Sequence, residues 1–129
     1  MNEASRNYHP SIAPADLGSV RANAERIREQ MVARLEQSPS DFDALHTLGV
    51  ALFALGSYES ANNVLTRAIM RDATQGWTWY WLARNCLAMG DPAAALLAHS
   101  RAMEIGPVGG EFLAFEAYLM RIAKGNKGN

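Results

Sequence analysis

Gly76–Arg84 reads Gly-Trp-Thr-Trp-Tyr-Trp-Leu-Ala-Arg and contains all three tryptophans of the chain, beside a tyrosine and an arginine. Such a cluster can form a ligand cage, a membrane anchor or a well-packed helix. The other residues with chemical potential are sparse. Histidine occurs at His9, His46 and His99, and the only cysteine is Cys86. No two histidines stand at the spacing of a metal-ligating helix pair. Cys86 has no histidine or lysine beside it in sequence, so it reads as a small apolar residue rather than an activated thiol. The Gly-Pro-Val-Gly-Gly run at 106–110 lacks the lysine and hydroxyl residue of a phosphate loop. The terminal Lys-Gly-Asn-Lys-Gly-Asn run carries the only two lysines, too little charge to hold a phosphate backbone. The expectation is a protein with no catalytic residues, no metal, no cofactor and no nucleic-acid partner.

The chain has 129 residues, 49% of them hydrophobic and 19% charged, with a formal net charge of -1. That length and composition suit one folded domain with a modest core. The near-zero charge supplies no long-range field toward nucleic acid or an acidic membrane. One cysteine cannot form an internal disulfide, and no apolar run reaches the roughly 18 residues of a membrane span. The first residues carry no signal-peptide core. The expectation is a cytoplasmic protein without direct membrane insertion.

What positions the aromatic stretch is a repeat. Residues 41–73 align with 75–107 at an offset of 34. Leu45 falls on Trp79, Leu48 on Leu82, Gly49 on Ala83, Leu52 on Cys86, Gly56 on Gly90, Ala61 on Ala95 and Ala68 on Ala102. Small residues meet small ones and large apolar residues meet large ones, as in a helical solenoid. Each unit reads as two helices, 43–55 with 58–71 and 77–89 with 92–105. Gly56 and Gly90 sit where a helix C-cap favours positive φ, and Pro92 where a first turn tolerates a missing N–H. Residues 24–35 lie one period before 58–69, and 111–122 one period after 77–88. In these flanks Arg34 stands where the repeats have Ala68 and Ala102, and Glu116 where they have Leu48 and Leu82.

The spacing resembles the tetratricopeptide repeat family, on Leu45, Leu48, Gly49, Leu52, Gly56, Tyr58, Ala61, Leu65 and Ala68, and again on Trp79, Leu82, Ala83, Cys86, Gly90, Ala95, Ala102 and Pro107. Ala73, Pro92 and His99 depart from the family pattern. The resemblance implies an all-α fold, a short right-handed solenoid of antiparallel helix pairs with about six helices. The implied domain spans 17–124, as an N-terminal helix 17–38, repeats 41–73 and 75–107, and a capping helix 110–124. Residues 1–16 and 125–129 read as flexible tails.

In the resembled family the first helices of successive repeats line a concave face. Register places His46, Val50, Phe53, Trp77, Tyr80, Arg84, Leu87, Tyr118 and Arg121 there, rimmed by Asp43 and Glu111. Trp79 and Leu82 read as core, with losses of about 2–5 kcal/mol on truncation. Trp77 and Tyr80 read as the residues that cost less stability and more binding, and Trp81 as leaning toward the neighbouring helix. An aromatic groove with arginines suits a partner peptide or helix. The implied function is a non-enzymatic interaction module or adaptor. The alternatives are a small chaperone like the tetratricopeptide-repeat secretion chaperones, which are similar in length, and a self-associating structural protein. The apolar stripe Leu17, Val20, Ile27, Met31 and Leu35 points toward a homodimer, unless the N-terminal segment folds over the groove instead.

Overall fold

A computed structural model describes residues 17–106 and 108–127. They form seven α-helices and no strand. These are α1 (Leu17–Ala22), α2 (Ala24–Gln37), α3 (Phe42–Ala54), α4 (Tyr58–Arg71), α5 (Gly76–Ala88), α6 (Pro92–Ile105) and α7 (Gly110–Lys127). From α2 onward each helix packs on the next, so α3–α4 and α5–α6 are the two full pairs. The helix limits of both pairs fall within about a residue of those set by the periodicity. Two differences stand at the ends. The N-terminal helix breaks at Asn23, whose φ of -120 separates α1 from α2. The last helix runs through Gly125 to Lys127 rather than ending before a tail. The expected N-terminal tail, His9 and Pro107 lie outside the described residues.

The turns follow from local chemistry. Gly56, Gly90 and Gly106 have φ of 81, 84 and 83, the left-handed region in which a Cβ is costly. Asp41 and Asp91 cap α3 and α6 by accepting from the backbone N–H groups of Ala44 and Ala94, each at 3.0 Å. Within each pair, small residues let the helices approach. A Cβ at Gly49 would overlap the fully buried Leu65 side chain. In the next repeat, Ala83 occupies the Gly49 position and His99 the Leu65 position.

The core divides in two. Phe42, Leu45, Leu48, Leu52, Ala61, Val64 and Ala68 fill the α3–α4 interior, with Met31 and Leu35 of α2 against them. A second cluster joins Leu17, Val20 and Ala24 to Val50, Leu65, Tyr80, Trp81, Ala102 and Phe112. It draws on every helix and contains most of the aromatic stretch.

Candidate partner-binding face

The first helices α3, α5 and α7 each present three faces, repeated at intervals of 34 residues. One stripe comprises Ala44, Thr47 and Ala51, then Thr78, Trp81 and Asn85, then Phe112, Phe115 and Leu119. Seven of these nine side chains are buried, and Thr47 and Phe115 are half-buried. This stripe faces the preceding helices. Trp81 accordingly has no exposed surface and is the largest fully buried side chain. Asn85 beside it donates from Nδ2 to the Tyr58 carbonyl at 2.8 Å, tying α5 to the start of α4. Thr78 hydrogen-bonds through Oγ1 to His46 Nδ1 at 2.9 Å.

The second stripe faces the helix of the same pair. Leu45, Leu48, Gly49 and Leu52 are buried by α4. Trp79, Leu82 and Cys86 are only half-buried beside α6, with Ala83 sealed between them. Trp79 packs on the edge of the interior without being sealed in it. Its Nε1 donates to the Ala73 carbonyl at 3.0 Å and the Arg101 guanidinium lies 5.6 Å from its ring centroid. The weight assigned from sequence to Trp79 therefore belongs to Trp81. Burial raises the Cys86 thiol above its ordinary range, and the Asp91 carboxylate adds to the rise. On α7 the same stripe, Leu113, Glu116, Ala117 and Met120, meets no later helix among the described residues. Leu113 and Met120 are 51% and 58% exposed.

The third stripe is the face expected to bind, and its accessibility is graded along the chain. His46, Val50 and Tyr80, placed there from register, are 1%, 0% and 3% exposed. They are part of the interior, not of an open groove. The α1 helix packs on α3, and its Leu17 and Val20 share one buried cluster with Val50 and Tyr80. His46 stacks on Phe42 with centroids 5.9 Å apart. Tyr80 is held by α7, lying parallel to the Phe112 ring at 5.3 Å, with Trp77, Trp81 and Phe115 edge-on around it. Burial pushes the Tyr80 phenol up, against the pull of the Arg84 guanidinium. Phe53, Trp77, Arg84 and Leu87 are half-exposed, and Tyr118 and Arg121 are exposed. Arg84 lies over Phe53, Tyr80 and Trp81 at 5.5, 6.0 and 5.3 Å from their centroids. Arg121 lies 5.8 Å from Tyr118. Among the described residues, neither arginine forms an ion pair.

His99 explains how α7 is seated. It is 1% exposed, and its Nε2 lies 2.8 Å from the Phe112 carbonyl. A carbonyl only accepts, so Nε2 carries a ring proton, and Nδ1 has no hydrogen-bond partner among the described residues. The ring sits among Tyr80, Phe112 and Phe115. A histidine that breaks the apolar pattern of the repeat is thus the residue that fastens α6 to the start of α7. Its role was hidden in sequence because the acceptor is a backbone atom. The Trp81 stripe was in principle visible, as a second apolar series out of phase with the first.

Residues 52–108, from the end of α3 through α6, match the profile of the tetratricopeptide repeat family. That segment is similar to tetratricopeptide repeats. No curated protein matches it in sequence. Among solved structures, it is similar to the type III secretion translocator chaperone SycD of Yersinia enterocolitica. One such structure superposes at a TM-score of 0.66 with 17% identity, covering 98% of this chain and 94% of that one. Another, an alternative dimer of SycD, gives 0.65 with 18% identity over 89% and 94%. A type III secretion complex from Aeromonas hydrophila gives 0.67 with 14% identity over 99% and 89%. The structural similarity therefore includes the helices that flank residues 52–108 as well as that segment itself. Among the described residues, no helix is long and apolar enough to cross a membrane, and no group of three or more His, Cys, Asp and Glu side chains could hold a metal ion.

Proposed function

We propose that the protein is a non-catalytic binding module of the chaperone kind, which holds a segment of one partner protein on the open part of the first-helix face. The observation that carries this reading is the superposition on translocator chaperones along nearly the whole length of both chains. The site is the surface of Phe53, Trp77, Arg84, Leu87, Tyr118 and Arg121. Its aromatic rings, half-buried at Phe53 and Trp77 and exposed at Tyr118, supply contact area at low entropy cost, and its two arginines, stacked on rings, supply fixed donors. Val50, His46 and Tyr80 support that surface from beneath.

The test is capture from the native cell with the wild-type protein and with the Arg84→Glu, Tyr118→Ala double variant. The expected result is a stoichiometric complex with one protein, lost in the variant although the variant still unfolds cooperatively. That partner, expressed alone, is expected to be insoluble and to become soluble on co-expression. A partner that is soluble without this chain would favour the adaptor role. Equal capture by both forms would place the binding surface elsewhere.

A further inference from the structure

Arg84 stands on α5, the middle of the three first helices, in a box of rings. Its guanidinium carbon lies 5.3, 5.5 and 6.0 Å from the ring centroids of Trp81, Phe53 and Tyr80. The side chain is half-buried, and the rings around it come from both α3 and α5. A cation held against ring faces gives up none of its N–H donors to them. A guanidinium has five such donors, and the Tyr80 phenol can engage only part of them. Among the described residues, no carboxylate pairs with Arg84. The carboxylates of this face, Asp43 and Glu111, stand in the first turns of α3 and α7. Arg84 and Arg121 stand in later turns of α5 and α7. The face is therefore divided, acidic where its helices begin and basic farther along them.

We infer that Arg84 is a carboxylate anchor, and that the segment held on this face lays an acidic side chain on it, set between apolar side chains that pack on the neighbouring rings. The inference rests on the first-helix face being the binding surface, and it names the chemistry of the occupant. Charge complementarity selects that occupant. A wholly apolar segment would strip water from Arg84 and leave its charge covered and unpaired, which is strongly unfavourable. A carboxylate on the free edge of the guanidinium offsets that loss with a bidentate contact. The rings hold the guanidinium in place beforehand, so little side-chain freedom is lost on pairing. Half-burial also shields the pair from the screening that makes fully exposed ion pairs weak. Arg121, exposed beside the Tyr118 ring, offers a second and weaker contact to another acidic side chain of the same segment.

The experiment uses the full chain and a library of random peptide segments, each displayed with a linker at both ends so that side chains are the only source of carboxylate. Segments are selected on the wild type. The strongest is synthesised with blocked ends, once as selected and once with its acidic residue changed to the amide. Fluorescence anisotropy gives the affinity of both peptides for the wild type and for Arg84→Gln. The selected segments are expected to share an Asp or Glu flanked by apolar residues. On the wild type the amide peptide is expected to bind about tenfold more weakly or worse, an arm that needs no variant to fold. Arg84→Gln is expected to weaken the acidic peptide by a similar factor and to leave the amide peptide unchanged. Apolar segments that share no acidic position and bind both proteins equally would overturn this inference and leave the binding face standing. A wild type that does not distinguish the two peptides, or an Arg84→Gln that weakens both alike, would also overturn it. A selection that yields no binder would sink the inference and the proposed face together.

Discussion

At the residue scale, burial and not residue type separates the three tryptophans. Trp81 is sealed between repeats, so Trp81→Ala leaves a cavity on which little can collapse, and a loss of about 3–5 kcal/mol is expected. Trp79 is half-exposed against α6, so Trp79→Ala is expected to cost clearly less. Paired urea titrations give both values, and equal losses would contradict the placement. Asp41 adds a pH dependence. Desolvation by burial raises its pKa, but the Ala44 N–H and the Arg34 guanidinium outweigh it, and the net position is below the ordinary 3.8. A depressed carboxylate contributes stability that is complete above its unfolded value and is lost as pH falls through the folded one. The melting temperature is therefore expected to drop as pH falls below about 4, and to drop less steeply in Asp41→Asn, where the cap remains but the titration is gone. Thermal melts at successive pH values would show whether the two curves converge in acid.

At the scale of elements, close approach of helices sets the glycine requirements. Gly76 opens α5 against the end of α6, and a Cβ there would overlap the carbonyl oxygen of Gly106. Backbone cannot swing aside as a side chain can. Gly76→Ala is expected to destabilise by at least the ~1–3 kcal/mol typical of overpacking. Gly110 opens α7 with nothing near its missing Cβ, and Gly110→Ala is expected to be neutral or stabilising by a few tenths of a kcal/mol, about 0.4–1 at most. Denaturant melts of the two variants read the contrast directly. The helix pairs were legible because Leu45, Gly49, Leu52, Gly56 and Ala61 recur as Trp79, Ala83, Cys86, Gly90 and Ala95, and that periodicity has one packing solution. The proposed binding face was legible only in part. Register gives the direction in which His46, Val50 and Tyr80 point, but not what covers them. Coverage depends on the break at Asn23 that brings α1 onto α3, and on Phe112 reaching back to Tyr80. Neither contact is periodic, so neither is written in the repeat.

At the scale of the molecule, α7 is a structural part of the fold rather than an appended tail. Phe112 and Leu119 are fully buried, and His99 holds the Phe112 carbonyl. A chain ending at Gly109 would uncover Tyr80, His99 and the rings around them at once. It is expected to lose cooperative unfolding and to bind a hydrophobic dye such as ANS, with near-UV circular dichroism much reduced. Retention of a sharp melt by that truncation would show that α3–α6 suffice. One further consequence belongs to the history of such a protein. Arg84 rests on the rings of Tyr80 and Trp81, which also form the interior between α5 and its neighbours. If the proposed face binds a partner, selection for a new one cannot freely replace its aromatic floor, since most changes there would unfold the chain before they altered recognition. Variation in specificity has a narrow set of positions open to it, the rim residues Leu87, Tyr118 and Arg121. Descendants of this sequence should diverge at those positions while the rings beneath them stay fixed.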